Sequence, residues 1–172
     1  MKAQLTLEYM ISLTLFIGII IYLYFSYSAN IPSFVGEIFK EDARVKAYQL
    51  SELLVNDPGE PDDWDQSSVE RLGLSDENLN KTNLISEEKI TELNGFDCSV
   101  LDDYNELKSL FALDREFSIV VFEIEDDGNR NSLFSCFPPF DLKTSIQARV
   151  TRITAYTDGG NVKKAEVIVQ VW

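Results

Sequence analysis

The chain has 172 residues, enough for one folded domain beside a membrane anchor, and carries 29 acidic against 15 basic side chains for a formal net charge of −14. An acidic surface of that size repels nucleic acid and anionic lipid headgroups, so no nucleic-acid partner is expected. The absence of histidine removes the commonest general base and a common transition-metal ligand.

Met1-Lys2-Ala3 precedes Gln4-Leu5-Thr6-Leu7-Glu8, and no further charge follows Glu8 until Glu37. A helix of about 20 apolar residues crosses a bilayer core, and residues 5 to 29 supply one, densest from Met10 to Tyr27. A secretory signal peptide is the alternative. The single Lys, an apolar region beyond roughly 7–15 residues and the lack of a small-x-small site favour a retained span. Lys2 is the only basic residue ahead of it, which places the N-terminus in the cytoplasm and the rest of the chain outside. Tyr22, Tyr24, Phe25 and Tyr27 gather at the outer end, where amphipathic rings prefer the interface. Pro32 has no amide hydrogen, so a kink or a restarted helix is expected there.

From Phe34 to Val55 a second helical pattern runs through Val35, Ile38, Phe39, Val45, Gln49, Leu50, Leu53 and Leu54. Asn56-Asp57-Pro58-Gly59 ends it. Residues 56–86 are rich in turn formers but keep Trp64, Val69, Leu72, Leu74 and Leu79, so an ordered excursion is expected, with short helices near 67–72 and 86–93. Asp102 to Leu113 puts Tyr104, Leu107, Leu110 and Phe111 on one helical face. The period then changes. Phe117–Ile124 reads as a strand, Asp126–Asn129 as a turn and Ser132–Phe137 as a short strand closed by Pro138-Pro139. Ser145–Tyr156 alternates through Ile146, Ala148, Val150, Ile153 and Ala155, with one slip near Thr151-Arg152. It returns through Ala165–Trp172 as a long C-terminal hairpin.

The expected fold class is α+β, with a long N-terminal α-helix followed by an α+β head built on an antiparallel sheet. Residues 1–3 form a leader. Residues 4–55 form the helix, with 4–29 transmembrane and 33–55 its extension, and 56–172 form the acidic head.

Cys98 and Cys136 fall in the external part. A disulfide between them closes a loop worth about 3–4 kcal/mol in the chain-entropy model; two buried free thiols are the alternative. Asn80-Lys81-Thr82 is the one N-glycosylation sequon. Asp126-Asp127-Gly128-Asn129 lacks the spacing and closing Glu of a calcium loop. Trp64, between Asp63 and Asp65, reads as a plug for the excursion rather than a sugar or cation contact. With no Gly-x-Ser-x-Gly, phosphate loop or Cys-x-x-Cys, no catalytic residue, cofactor or metal site is expected, and the chain reads as a non-enzyme.

The first ten residues resemble the precursor of archaeal type IV pilins, which carry a class III signal peptide. A short charged leader ends in a small residue, here Ala3. Gln4 stands as the first mature residue, and Glu8 as the glutamate inside the apolar helix. The resemblance implies cleavage between Ala3 and Gln4 by a membrane-embedded prepilin peptidase, with the apolar helix kept. It implies a stay in the membrane, then assembly with other pilin subunits through that helix into a cell-surface filament. A lone intramembrane carboxylate is costly unless paired. The implied partner of Glu8 is the new α-amino group of a neighbour, or a hydrogen bond in its place if Gln4 cyclises to pyroglutamate. Snorkelling of Glu8 to the interface is the alternative. Tyr48–Leu54, Pro58-Gly59-x-Pro61-x-x-Trp64, Leu72-Gly73-Leu74 and the terminal Trp172 are similar to a group of archaeal pilin-like proteins. The single leader Lys departs from the several that many such leaders have. The role implied is structural and adhesive, as a minor pilin; the other reading is a single-span, membrane-anchored extracellular binding protein that does not polymerise.

Overall fold

The computed structural model describes residues 2–76, 83–142 and 148–172. Asn80 and Leu79 of the excursion and Ser145 and Ile146 of the hairpin lie outside the described residues. The elements are α1 (Lys2–Asn56), β1 (Leu84–Ile85), α2 (Glu87–Leu93), α3 (Leu101–Leu110), β2 (Phe117–Ile124), β3 (Arg130–Cys136), β4 (Ala148–Asp158) and β5 (Asn161–Val171). The chain is α+β, and its strands form one sheet ordered β1-β4-β5-β2-β3. Every neighbouring pair is antiparallel except β1 with β4. Two compact units result, Met1–Phe39 and Lys40–Trp172.

In the first unit the helix runs unbroken through Pro32, where the ring removes one backbone hydrogen bond. Large apolar side chains along it are exposed from Leu7 at 64% to Phe39 at 53%.

In the second unit α1 buries Ala43, Ala47, Leu50 and Leu54, a three/four spacing that forms one face. The sequence pattern put Val45 and Gln49 on the packed face, yet both are exposed. Ala43 and Ala47, both wholly buried in the core cluster, mark the packed face instead. Tethers reinforce the contact: Arg115 Nε donates to Asp42 Oδ2 at 2.8 Å, and Lys46 pairs with Asp114.

The core face of the sheet is set by strict alternation. Phe117, Ile119 and Val121 of β2 oppose Val171, Val169 and Val167 of β5, and all six are buried. β4 keeps the same period without a slip: Ala148, Val150, Arg152 and Thr154 oppose Val171, Val169, Val167 and Ala165. The expected slip, which would have brought Ile153 inside, is therefore corrected, and Ile153 is 65% exposed. Arg152 tolerates a core-face position because its partners lie on α1. Its Nε donates to Ser51 Oγ at 2.9 Å, it pairs with Glu52, and its guanidinium lies 4.7 Å from the centroid of the Tyr48 ring.

The excursion is ordered around Trp64, 2% exposed, whose Nε1 donates to Gly73 O at 2.9 Å and Pro58 O at 3.1 Å. Gly73 is required there, since a Cβ would stand 2.1 Å from Asp57 O. The helix expected near 67–72 is instead a turn. Asp65 Oδ1 accepts from Ser67 N and Ser68 N, and Glu60 bridges Arg71 in antiparallel fashion. Local side-chain bonds of this kind compete with a helix. β1 has only two residues, too few to leave a periodic signal.

Helix α3 ends at Leu110 rather than Leu113. Leu113 N bonds Lys108 O, Ala112 N bonds Ser109 O, and Ala112 takes φ 50°. This is the left-handed closing position that glycine usually fills. Ala112 is exposed, so little packing depends on its methyl group. Ala112→Gly is expected to stabilise the head by about 0.5–1 kcal/mol, read as a rise in melting temperature. An unchanged or lower melting temperature would sink this account of the turn.

Candidate functional sites

The first candidate is the beginning of α1. Ala3 and Gln4 lie in its first turns, and Glu8 follows Gln4 by one turn on the same side. Glu8 is exposed, as are its neighbours Leu7, Met10, Ile11 and Leu15. Thr14 Oγ1 donates to Met10 O at 2.8 Å. The helix holds one stretch long and apolar enough to cross a membrane, with mean hydropathy 1.9. Tyr22, Tyr24, Phe25 and Tyr27 are exposed toward the C-terminal end of that stretch.

The second candidate lies in the head, around the two cysteines. Cys98 and Cys136 are joined, with Cα atoms 5.2 Å apart, and stand 38 positions apart in sequence. The bond links the turn after α2 to the last residue of β3. Beside it opens a groove of about 960 Å³ between residues 94–99 on one wall and Phe134–Asp141 on the other. Asn94 Nδ2 donates to Ile90 O at 2.9 Å and Leu133 O at 3.0 Å. Leu133 is the extra residue where the β2–β3 register shifts, and such a bulge re-aims a carbonyl away from the ladder. Asp97 Oδ1 accepts from Ser99 Oγ at 2.6 Å and Ser99 N at 3.0 Å. The Ser99 hydroxyl, then its amide, hold the Asp97 carboxyl below the usual carboxylate range. Phe137 is 52% and Phe140 45% exposed, and Phe140 also meets Tyr104 edge-on at 6.2 Å. Tyr104 is structural: burial pushes its phenol up, and its hydroxyl serves Phe117 N and O.

A third hollow, of about 400 Å³, sits beside Trp64 and is rimmed by Asp62, Asp63, Asp65, Asp76, Glu88 and Glu92. Lys89 donates to Pro58 O and Ser75 O there, tying α2 to the excursion. Among the described residues no group of His, Cys, Asp or Glu is arranged to hold a metal ion. The turn at Asp126–Asn129 is closed on itself, Asn129 N donating to Asp127 Oδ1 at 2.9 Å.

Sequence reasoning named the cysteines but missed the groove beside them. Its walls come from separate stretches of chain, and nothing local marks them as one site. The signal that was present is Phe137-Pro138-Pro139-Phe140, an apolar run outside any strand.

No protein-family model matches this chain, and neither a curated protein nor a solved structure does.

Proposed function

We propose that the chain is a type IV pilin-like subunit, cut between Ala3 and Gln4 by a prepilin peptidase, anchored by α1 and assembled with like subunits through it. One observation carries the reading. Exposed apolar surface runs from Leu7 to Phe39, roughly 50 Å of helix at 1.5 Å per residue. A bilayer core is about 30 Å thick. Lipid alone therefore leaves Phe34, Val35 and Ile38 in water, and an exposed apolar stretch of this kind calls for a partner. A neighbouring copy of the same helix covers both the lipid-facing part and the excess, so leaving the membrane exposes no apolar surface to water. The acidic head stays outside, keeps the subunit soluble and carries the contacts with the surroundings; the role is structural, with no chemistry of its own.

The groove at Cys98–Cys136 favours a second reading, an anchored extracellular binding protein that never polymerises. The N-terminus separates the two. Mass spectrometry of protein taken from its own membranes is expected to show loss of Met1-Lys2-Ala3, with Gln4 or its pyroglutamate first. Protein still beginning at Met1 favours the anchored binder, and a start beyond the apolar span excludes both.

A further inference from the structure

We propose that the groove bridged by Cys98 and Cys136 binds cationic peptide segments, seating a Lys or Arg side chain against the carboxylates of Asp97 and Asp141 and the rings of Phe137 and Phe140. The inference concerns the head alone and does not depend on filament assembly.

The polar lining accepts far more than it donates. Both amide hydrogens of Asn94 are spent on Ile90 O and Leu133 O, which leaves its oxygen as an acceptor. The Ser99 hydroxyl is spent on Asp97. Asp97 and Asp141 bring carboxylates, and no Lys or Arg belongs to the described lining. Lys and Arg side chains are donors only, so they match such a wall. A sugar hydroxyl both donates and accepts, and would find few donors here beyond Ser135.

The apolar part of the lining points the same way. Phe137 and Phe140 keep about half their surface in solvent, and a phenyl face attracts a cation within about 6 Å of its centre. Charge complementarity extends beyond the groove. Of all the charged residues, only Lys2, Glu8 and Glu37 lie outside Lys40–Trp172, so nearly the whole net charge of −14 surrounds the site and steers cations toward it. The disulfide fixes one wall to the other, and Asn94 and Asp97 are held by their own hydrogen bonds. Little ordering is left to be done on binding.

The test uses the full chain in uncharged detergent micelles and a capped peptide of alternating Arg and Ala, followed by calorimetry. Asp97→Asn keeps the turn acceptor and removes only the charge. Asp97→Asn, Asp141→Asn and Phe137→Ala are each expected to weaken binding roughly 3–10-fold. Asp126→Asn, on the β2–β3 turn away from the groove, should change it less than twofold. Thermal melts confirm that each variant folds, and the two Asn variants decide the matter if Phe137→Ala does not. Three results overturn the proposal: equal weakening by Asp126→Asn, which means diffuse attraction to the acidic head; no weakening by the groove variants; or binding of a neutral hexasaccharide with none of the peptide. Failure here leaves the N-terminal mass unaltered, so it is distinct from failure of the pilin reading.

Discussion

On the proposed pilin reading, replacing Glu8 by Ala abolishes filaments while leaving the protein in the membrane. The side chain is exposed on α1 beside Leu7 and Ile11, so its removal takes nothing from the fold and makes the span more apolar. Insertion is therefore retained or improved. Assembly is another matter. When copies pack through this helix, the carboxylate is taken out of water and requires a counter-charge. Breaking such a buried pair costs roughly 3–5 kcal/mol. In each subunit contact that is a loss of at least roughly 100-fold in association. Here the orphan would be the neighbour's α-amino group. Electron microscopy of cell surfaces, with membrane fractionation alongside, reads both halves of the prediction. Glu8→Gln refines it. The amide still accepts a hydrogen bond, so filaments that survive Gln but not Ala mean that a hydrogen bond at this position suffices without the ion pair. Normal filaments from Glu8→Ala would end the assembly role of this residue and leave it snorkelling at the interface.

Much of the fold could be read from periodicity, and the departures have physical reasons. The apolar span, the α2 and α3 regions and strands β2, β4 and β5 were all visible, because their patterns run over many residues. β5 begins earlier than the pattern suggests, at Asn161, since its first residues pair with the tip of β4 rather than with a core. The packed face of α1 was misjudged because Ala43 and Ala47 carry little weight as hydrophobes, yet both are wholly buried. Arg152 was misread for the opposite reason. A charged residue at a core-face register suggests a slip until its partners, Ser51 and Glu52, are known to lie roughly 100 residues earlier on α1. No local rule can supply such a partner. The turn at Asp65 was missed for a different reason: its bonds to Ser67 and Ser68 are local, but they compete with a helix on the same residues. The residues of the N-terminal candidate site are contiguous, so the sequence names them without help from the fold. The groove was not legible in this way, since Asn94, Asp97 and Phe137 converge only after β3 has found its place at the sheet edge.

Removing the disulfide carries the largest expected effect on stability. Cys98 and Cys136 close a loop of 38 positions, which contains α3, β2 and most of β3. Constraining a loop of that size is worth about 4 kcal/mol in the chain-entropy model, against a total near 5–15 kcal/mol for an ordinary domain by rough convention. Both cysteines are buried, Cys136 completely, so serine would add the separate cost of an unsatisfied hydroxyl. The double variant Cys98→Ala/Cys136→Ala isolates the cross-link. Its melting temperature should fall by roughly 10–15 °C. The bond from Asn94 to Leu133 O ties the same two segments, so 4 kcal/mol is an upper bound and some of the native wall geometry survives. Burial of the sulfurs adds a kinetic expectation. Thiol reductant should leave the folded protein oxidised and act only once the head opens. A fall of less than about 3 °C would mean that the unfolded chain is already constrained across this loop. The groove would then owe its shape to packing and to Asn94 rather than to the covalent bridge.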